Sequence, residues 1–191
     1  QGSPFLEACE GIRNCSDSGL IVCGHTLITQ YNKNDLLNIL KLYINLSNGN
    51  MKEFVIRPVG ISYISKDFTG EWYLPLKDIY EQNILYNFIK EIEKYTFSFN
   101  IRILEIPYCV AKSNNINIIS NKGFVPNINV TSILSNNNSL LNTNIPHYRE
   151  TIRTDVCDGC IMQVECAGWN KNDYAMFGTG NVKPIKEKLN V

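Results

Sequence analysis

The feature that most constrains this chain is an alternation of two periodicities. Residues 4–16 place Phe5, Ala8, Cys9 and Ile12 on one side at helical spacing, and Ser16-Asp17-Ser18-Gly19 breaks the run. Leu20 to Thr29 is apolar and β-branched, and reads as a buried strand. Asn32 to Asp35 offers helix N-caps. Residues 35–46 then set Leu36, Leu37, Leu40 and Tyr43 on one amphipathic face, closed by Ser47-Asn48-Gly49-Asn50. Residues 52–57 read as a second strand ending at Pro58-Val59-Gly60. A loop of about 15 residues follows, longer than most connections and therefore a functional candidate. One long helix is expected over 76–97, burying Ile79, Leu85, Phe88, Ile89 and Ile92. A third strand, 101–106, runs into Pro107-Tyr108-Cys109. Helices and strands in alternation imply parallel strands joined by right-handed crossovers. Three strands cannot close a barrel, so residues 1–108 are expected to be part of a larger β/α unit whose other half precedes Gln1.

Composition excludes several partners. Eighteen basic residues balance 18 acidic ones, which leaves no electrostatic footprint for nucleic acid or an anionic membrane. No apolar run approaches the ~20 residues of a membrane span, and no basic-then-apolar export signal opens the chain. A cytoplasmic location is the expectation. There, seven cysteines, an odd number, point to metal binding more than to a disulfide framework.

Beyond Cys109 the pattern changes. Residues 112–145 are polar and turn-rich, with short strand candidates at 116–120 and 128–134. The cysteines cluster after them, so residues 109–191 read as a small Cys-rich α+β appendage. In Cys157-Asp158-Gly159-Cys160 a C-x2-C pair can turn two thiolates toward one centre, with Gly159 giving the turn its freedom. Cys166 adds a third sulfur. The best fourth candidate is Cys109, at the exit of the last strand behind a proline. Four thiolates suit a structural zinc ion or an iron–sulfur cluster, and ligand softness does not separate the two. Most structural zinc sites pair two C-x2-C knuckles, and this chain has one. Cys9, Cys15 and Cys23 read as small apolar residues.

Taken in order, these segments resemble the radical S-adenosylmethionine (SAM) enzymes. Glu10-Gly11-Ile12-Arg13-Asn14, Ser18-Gly19-Leu20-Ile21-Val22 and Thr26-Leu27-Ile28-Thr29-Gln30-Tyr31-Asn32 resemble the middle of that family's partial barrel. Phe54-Val55-Ile56-Arg57-Pro58-Val59-Gly60 resembles its next strand, and Ile106-Pro107-Tyr108-Cys109 its exit. Cys157-x2-Cys160-x5-Cys166-x-Gly168, then Tyr174, Gly178 or Gly180, and Pro184-Ile185, resemble the auxiliary-cluster region of peptide- and protein-modifying members, the SPASM and twitch domains. The resemblance implies an α/β fold: the parallel-stranded half of a partial TIM barrel over 1–108, and a twitch-like tail over 109–191.

Two departures qualify it. The family's C-x3-C-x2-C loop, which binds the SAM-ligating cluster, is absent, and Cys9, Cys15 and Cys23 have the wrong spacing for it. The full SPASM pattern is also incomplete, with Asn170 and Ile128 where cysteines would stand. Sulfurs suffice for one auxiliary cluster. The resemblance therefore implies a C-terminal portion with one 4Fe–4S cluster held by Cys109, Cys157, Cys160 and Cys166. It implies SAM as cofactor, a peptide or protein substrate, and an N-terminal barrel half in the same polypeptide or a separate chain. In the complete enzyme, one electron passed to SAM generates a 5′-deoxyadenosyl radical that abstracts hydrogen.

SAM contacts are expected at the C-terminal ends of the strands. Arg57 is the first candidate, since a guanidinium grips a carboxylate at two points; the alternative is a surface salt bridge. His25 is the second, against the reading of a satisfied core histidine. His147, in a polar loop, reads as solvated. Trp169 and Tyr174 are expected to pack over the cluster. Asp158 and Glu165 would lower its potential and backbone N–H groups near Gly159 and Gly168 would raise it. The other reading of the same cysteines is a non-catalytic zinc module.

Overall fold

The computed structural model describes residues 3–60, 70–113, 118–120, 151–166 and 168–187. Helix α1 spans Pro4–Asp17, with a proline in its first turn where the missing N–H costs nothing. Strand β1 is Val22–Ile28, helix α2 Leu36–Ser47 and strand β2 Met51–Pro58. Asn48 (φ 43°) and Gly49 (φ 85°) reverse the chain after α2.

The long helix expected over 76–97 is two helices. α3 is Leu76–Glu81 and α4 is Ile84–Ile92. Asn83 stands between them at φ 55° and ψ 27°, which no α-helix continues through. The two pieces keep the expected apolar residues buried: Ile79 on α3, and Leu85, Phe88, Ile89 and Ile92 on α4. Strand β3 is Asn100–Leu104, followed by the short helix α5, Tyr108–Ala111, and strand β4, Ile119–Ser120. The strand candidate at 128–134 lies outside the described residues.

The four strands form one sheet in the order β1-β2-β3-β4, and every pair is parallel. Leu27 stands beside Arg57, His25 beside Val55, and Val55 beside Arg102. Phe54, Ile56, Ile101 and Ile103 are buried and join side chains of α2, α3 and α4 in one core. The Phe54 ring lies 5.5 Å from that of Tyr43 on α2. It also lies across Gly24, where a Cβ would come within 2.7 Å of it. The alternate positions, Cys23, His25 and Leu27 on β1 and Glu53, Val55 and Arg57 on β2, are exposed or half-buried. β1 is thus buried on one face only. Cys23 and His25 are exposed, which corrects the reading of a fully buried strand and of a core histidine.

The rest of the described chain joins the same core. Strands β5, Thr151–Ile152, and β6, Trp169–Asn170, pair antiparallel. A 3-10 turn covers Asp155–Cys157, and helix α6 is Lys171–Phe177. Cys157, Met162, Cys166, Trp169, Val182 and Ile185 belong to one contiguous cluster with Ile28, Leu40 and Phe54. Among the described residues no helix is long and apolar enough to cross a membrane.

Candidate metal centre

Chain direction brings the cysteines together. β3 leads through Ile106 and Pro107 into α5, whose second residue is Cys109. Pro107 fixes the entry and its carbonyl accepts the N–H groups of Val110 and Ala111. Cys109 is thereby held, buried, just beyond the sheet. From the other side, the 3-10 turn delivers Cys157, and Gly159 (φ 71°) lets the chain return with Cys160. The Cys160 N–H donates to the Cys157 carbonyl at 3.1 Å, closing the knuckle. Residues 161–165 form a further turn, pinned by Ile161 N–H to the Ile185 carbonyl at 2.9 Å, and bring in Cys166.

All four cysteines border one cavity, together with Pro107, Tyr108, Arg153, Val156, Gln163 and Trp169. None of the four is in a disulfide. Cys109, Cys157 and Cys166 are buried, and Cys160 is partly exposed. Burial, then the nearby thiols of Cys166, Cys160 and Cys157, push the Cys109 thiol up to about 12, with the Val110 N–H acting in the opposite sense.

Two backbone donors already point at sulfur. Thr154 N–H donates to Cys157 Sγ at 3.5 Å, and Gly168 N–H to Cys166 Sγ at 3.4 Å. Both flank the β5–β6 ladder, in which Ile152 faces Trp169. Gly168 is required there. Its φ is +93°, and a Cβ would lie 2.5 Å from the Ile152 carbonyl oxygen. Such N–H···S contacts favour charged sulfur. The donor set of four thiols and the hydrogen bonds to two of them fit a thiolate-ligated metal group. Among the described residues no three Cys, His, Asp or Glu side chains converge tightly enough to cage a single ion.

The other predicted site residues lie elsewhere. Arg57 is at the end of β2, half-buried, with Nε 3.6 Å from Glu105 Oε2. That is an ion pair across neighbouring strand ends, formed where Glu105 takes the left-handed φ of 62°. Burial lowers the Arg57 pKa, which still leaves the group cationic. His25 lies on the same face of the sheet, one strand over and two residues back in register. Trp169 borders the cysteine cavity, whereas Tyr174 packs against the core and is not among the residues that line the cavity. Ile128 and His147 lie outside the described residues.

No family model, curated protein or solved structure matches the chain.

Sequence reasoning passed over Thr154, Arg153, Gln163 and Asp173. Arg153 and Gln163 are exposed and border the cavity. Both lie within a few residues of a predicted ligand, the one signal available for them. Asp173 carries the second buried polar group of the region. On α6, its Oδ2 accepts from the Tyr73 hydroxyl and, at 3.2 Å, from the Leu76 N–H at the start of α3. Burial pushes the carboxyl up to about 6 against the pull of those two donors. The Tyr73 hydroxyl is raised as well, by burial and by Asp173.

Proposed function

We propose that the chain is the C-terminal portion of a radical SAM enzyme carrying one auxiliary 4Fe–4S cluster, on Cys109, Cys157, Cys160 and Cys166. The observation that carries this reading is the meeting of four free thiols around one cavity, from two stretches of chain nearly 50 residues apart, at the exit of a parallel sheet. The sheet supports it too. All-parallel sheets normally have both faces covered, whereas here the face of His25, Val55 and Arg57 is exposed or half-buried. Such a face suits the inner wall of a larger β/α unit. The unpartnered outer edge of β1, among the described residues, suits a preceding strand.

The single C-x2-C knuckle favours a cluster over zinc, because most structural zinc sites pair two such knuckles.

Bound there, such a cluster supplies one-electron transfer. The protein's own contributions are separate from it. Pro107, Val156 and Trp169 exclude water from the sulfurs. Thr154 and Gly168 stabilise negative charge on Cys157 and Cys166. Arg57 offers a cation at the strand ends for the carboxylate of SAM, in exchange for Glu105, and His25 lies on the same face one strand over, two residues back in register. A peptide or protein substrate is the expected class, by resemblance to the auxiliary-cluster enzymes.

Iron and sulfide analysis of anaerobically reconstituted protein tests the reading. Four iron and four sulfide per chain are expected, with loss in Cys109→Ser and Cys160→Ala and retention in Cys15→Ser. One zinc per chain without iron or sulfide would establish the zinc module instead.

A further inference from the structure

The indole of Trp169 lies against the cysteine cavity. It is the largest fully buried side chain of the molecule. Its Nε1 is shielded from solvent and has no hydrogen-bond acceptor among the described residues. Native proteins pair nearly all buried donors, so an orphan usually marks a partner of another kind. The same side chain borders the cavity of Cys109, Cys157, Cys160 and Cys166. Neutral thiols are weak acceptors. A metal-bound thiolate or a bridging sulfide carries negative charge and accepts an N–H far better.

The surroundings are already built this way. The residue before Trp169 sends its N–H to Cys166 Sγ, and Thr154, two residues past the ladder partner Ile152, sends its own to Cys157 Sγ. One end of the β5–β6 ladder is therefore a platform of N–H groups facing sulfur.

We propose that the indole N–H of Trp169 donates a hydrogen bond to a sulfur atom of the metal–sulfur group held by the four cysteines. The inference rests on the metal reading above. It gives Trp169 a second task besides filling space: drawing charge from sulfur, which raises the reduction potential of the group.

The chain has two tryptophans, Trp72 and Trp169. In a Trp72→Phe background, position 169 can be loaded biosynthetically with β-(3-benzothienyl)alanine, which keeps the bicyclic shape and replaces N–H by sulfur. The readouts are metal and sulfide content, the ultraviolet resonance Raman marker of indole N–H hydrogen bonding, and the midpoint potential. On loading of the Trp72→Phe protein with iron and sulfide, the marker is expected to move from free to hydrogen-bonded. The analogue protein should keep its metal and titrate at a lower potential. A marker that stays free in fully loaded protein, or an unchanged potential in the analogue, overturns the proposal. A protein that takes zinc alone refutes the cluster reading but leaves the indole test intact, because the marker's response to zinc then decides it. Failure to bind any metal overturns both.

Discussion

At the residue scale, the site depends on positions that tolerate no added atom. Gly168 combines a left-handed φ with backbone 2.5 Å from where a Cβ would stand. Gly168→Ala must shift the β5–β6 ladder and withdraw the N–H from Cys166. Strain of this kind costs about 1–3 kcal/mol. The melting temperature should fall, and a chelator should strip metal faster than from the native protein. Gly159 meets nothing within 4 Å, and its φ of 71° is the only obstacle to a side chain. Gly159→Ala should therefore be milder in both measurements. The cysteines themselves were legible in the sequence, because C-x2-C-x5-C is a local spacing and Cys109 follows a proline at a strand exit. Arg153 and Gln163 were not, since their place at the rim depends on how the 3-10 turn and the following turn are stacked.

At the scale of elements, alternation predicted the first three parallel strands to within about two residues, but it left residues 116–120 in the tail, whereas Ile119–Ser120 adds a fourth parallel strand to the sheet. It failed at Asn83, where the apolar pattern of α3 runs unbroken into α4. Asparagine tolerates the left-handed region, and its Oδ1 accepts from Lys112, whose ammonium also lies 4.0 Å from the Tyr80 ring. Asn83→Ile is expected to cost about 1–2 kcal/mol from the backbone alone, measured by denaturant unfolding, and Asn83→Gly much less. A second join, between α6 and α3, runs through Asp173. Its folded pKa of about 6 lies above the unfolded value of 3.8. The folded state thus binds the extra proton, and the stabilisation is present at low pH and lost as pH rises through about 6. The groups around it, Tyr73, Asp78 and Lys77, are those that act on its charge. Asp173→Asn should flatten the decline in melting temperature between about pH 4 and 6. It keeps an acceptor for Tyr73 and Leu76 and removes the buried anion.

For the whole molecule, the sequence suggested a boundary at residue 109, because composition turns polar there. Packing was not visible from composition: one core runs from Ile28 and Phe54 through Cys109 to Trp169, Val182 and Ile185. Metal bound at the cysteines would lie within that core. Its removal should lower a single melting transition of the full chain, with no separate early transition for the tail, as scanning calorimetry can check. The partial exposure of Cys160 has its own consequence. With three sulfurs sealed in, whatever reaches this centre from outside, an electron carrier, molecular oxygen or an alkylating reagent, meets that corner first. Iodoacetamide applied to the metal-free protein should tag residue 160 well before 109, 157 or 166, and oxidative damage in air should begin at the same point.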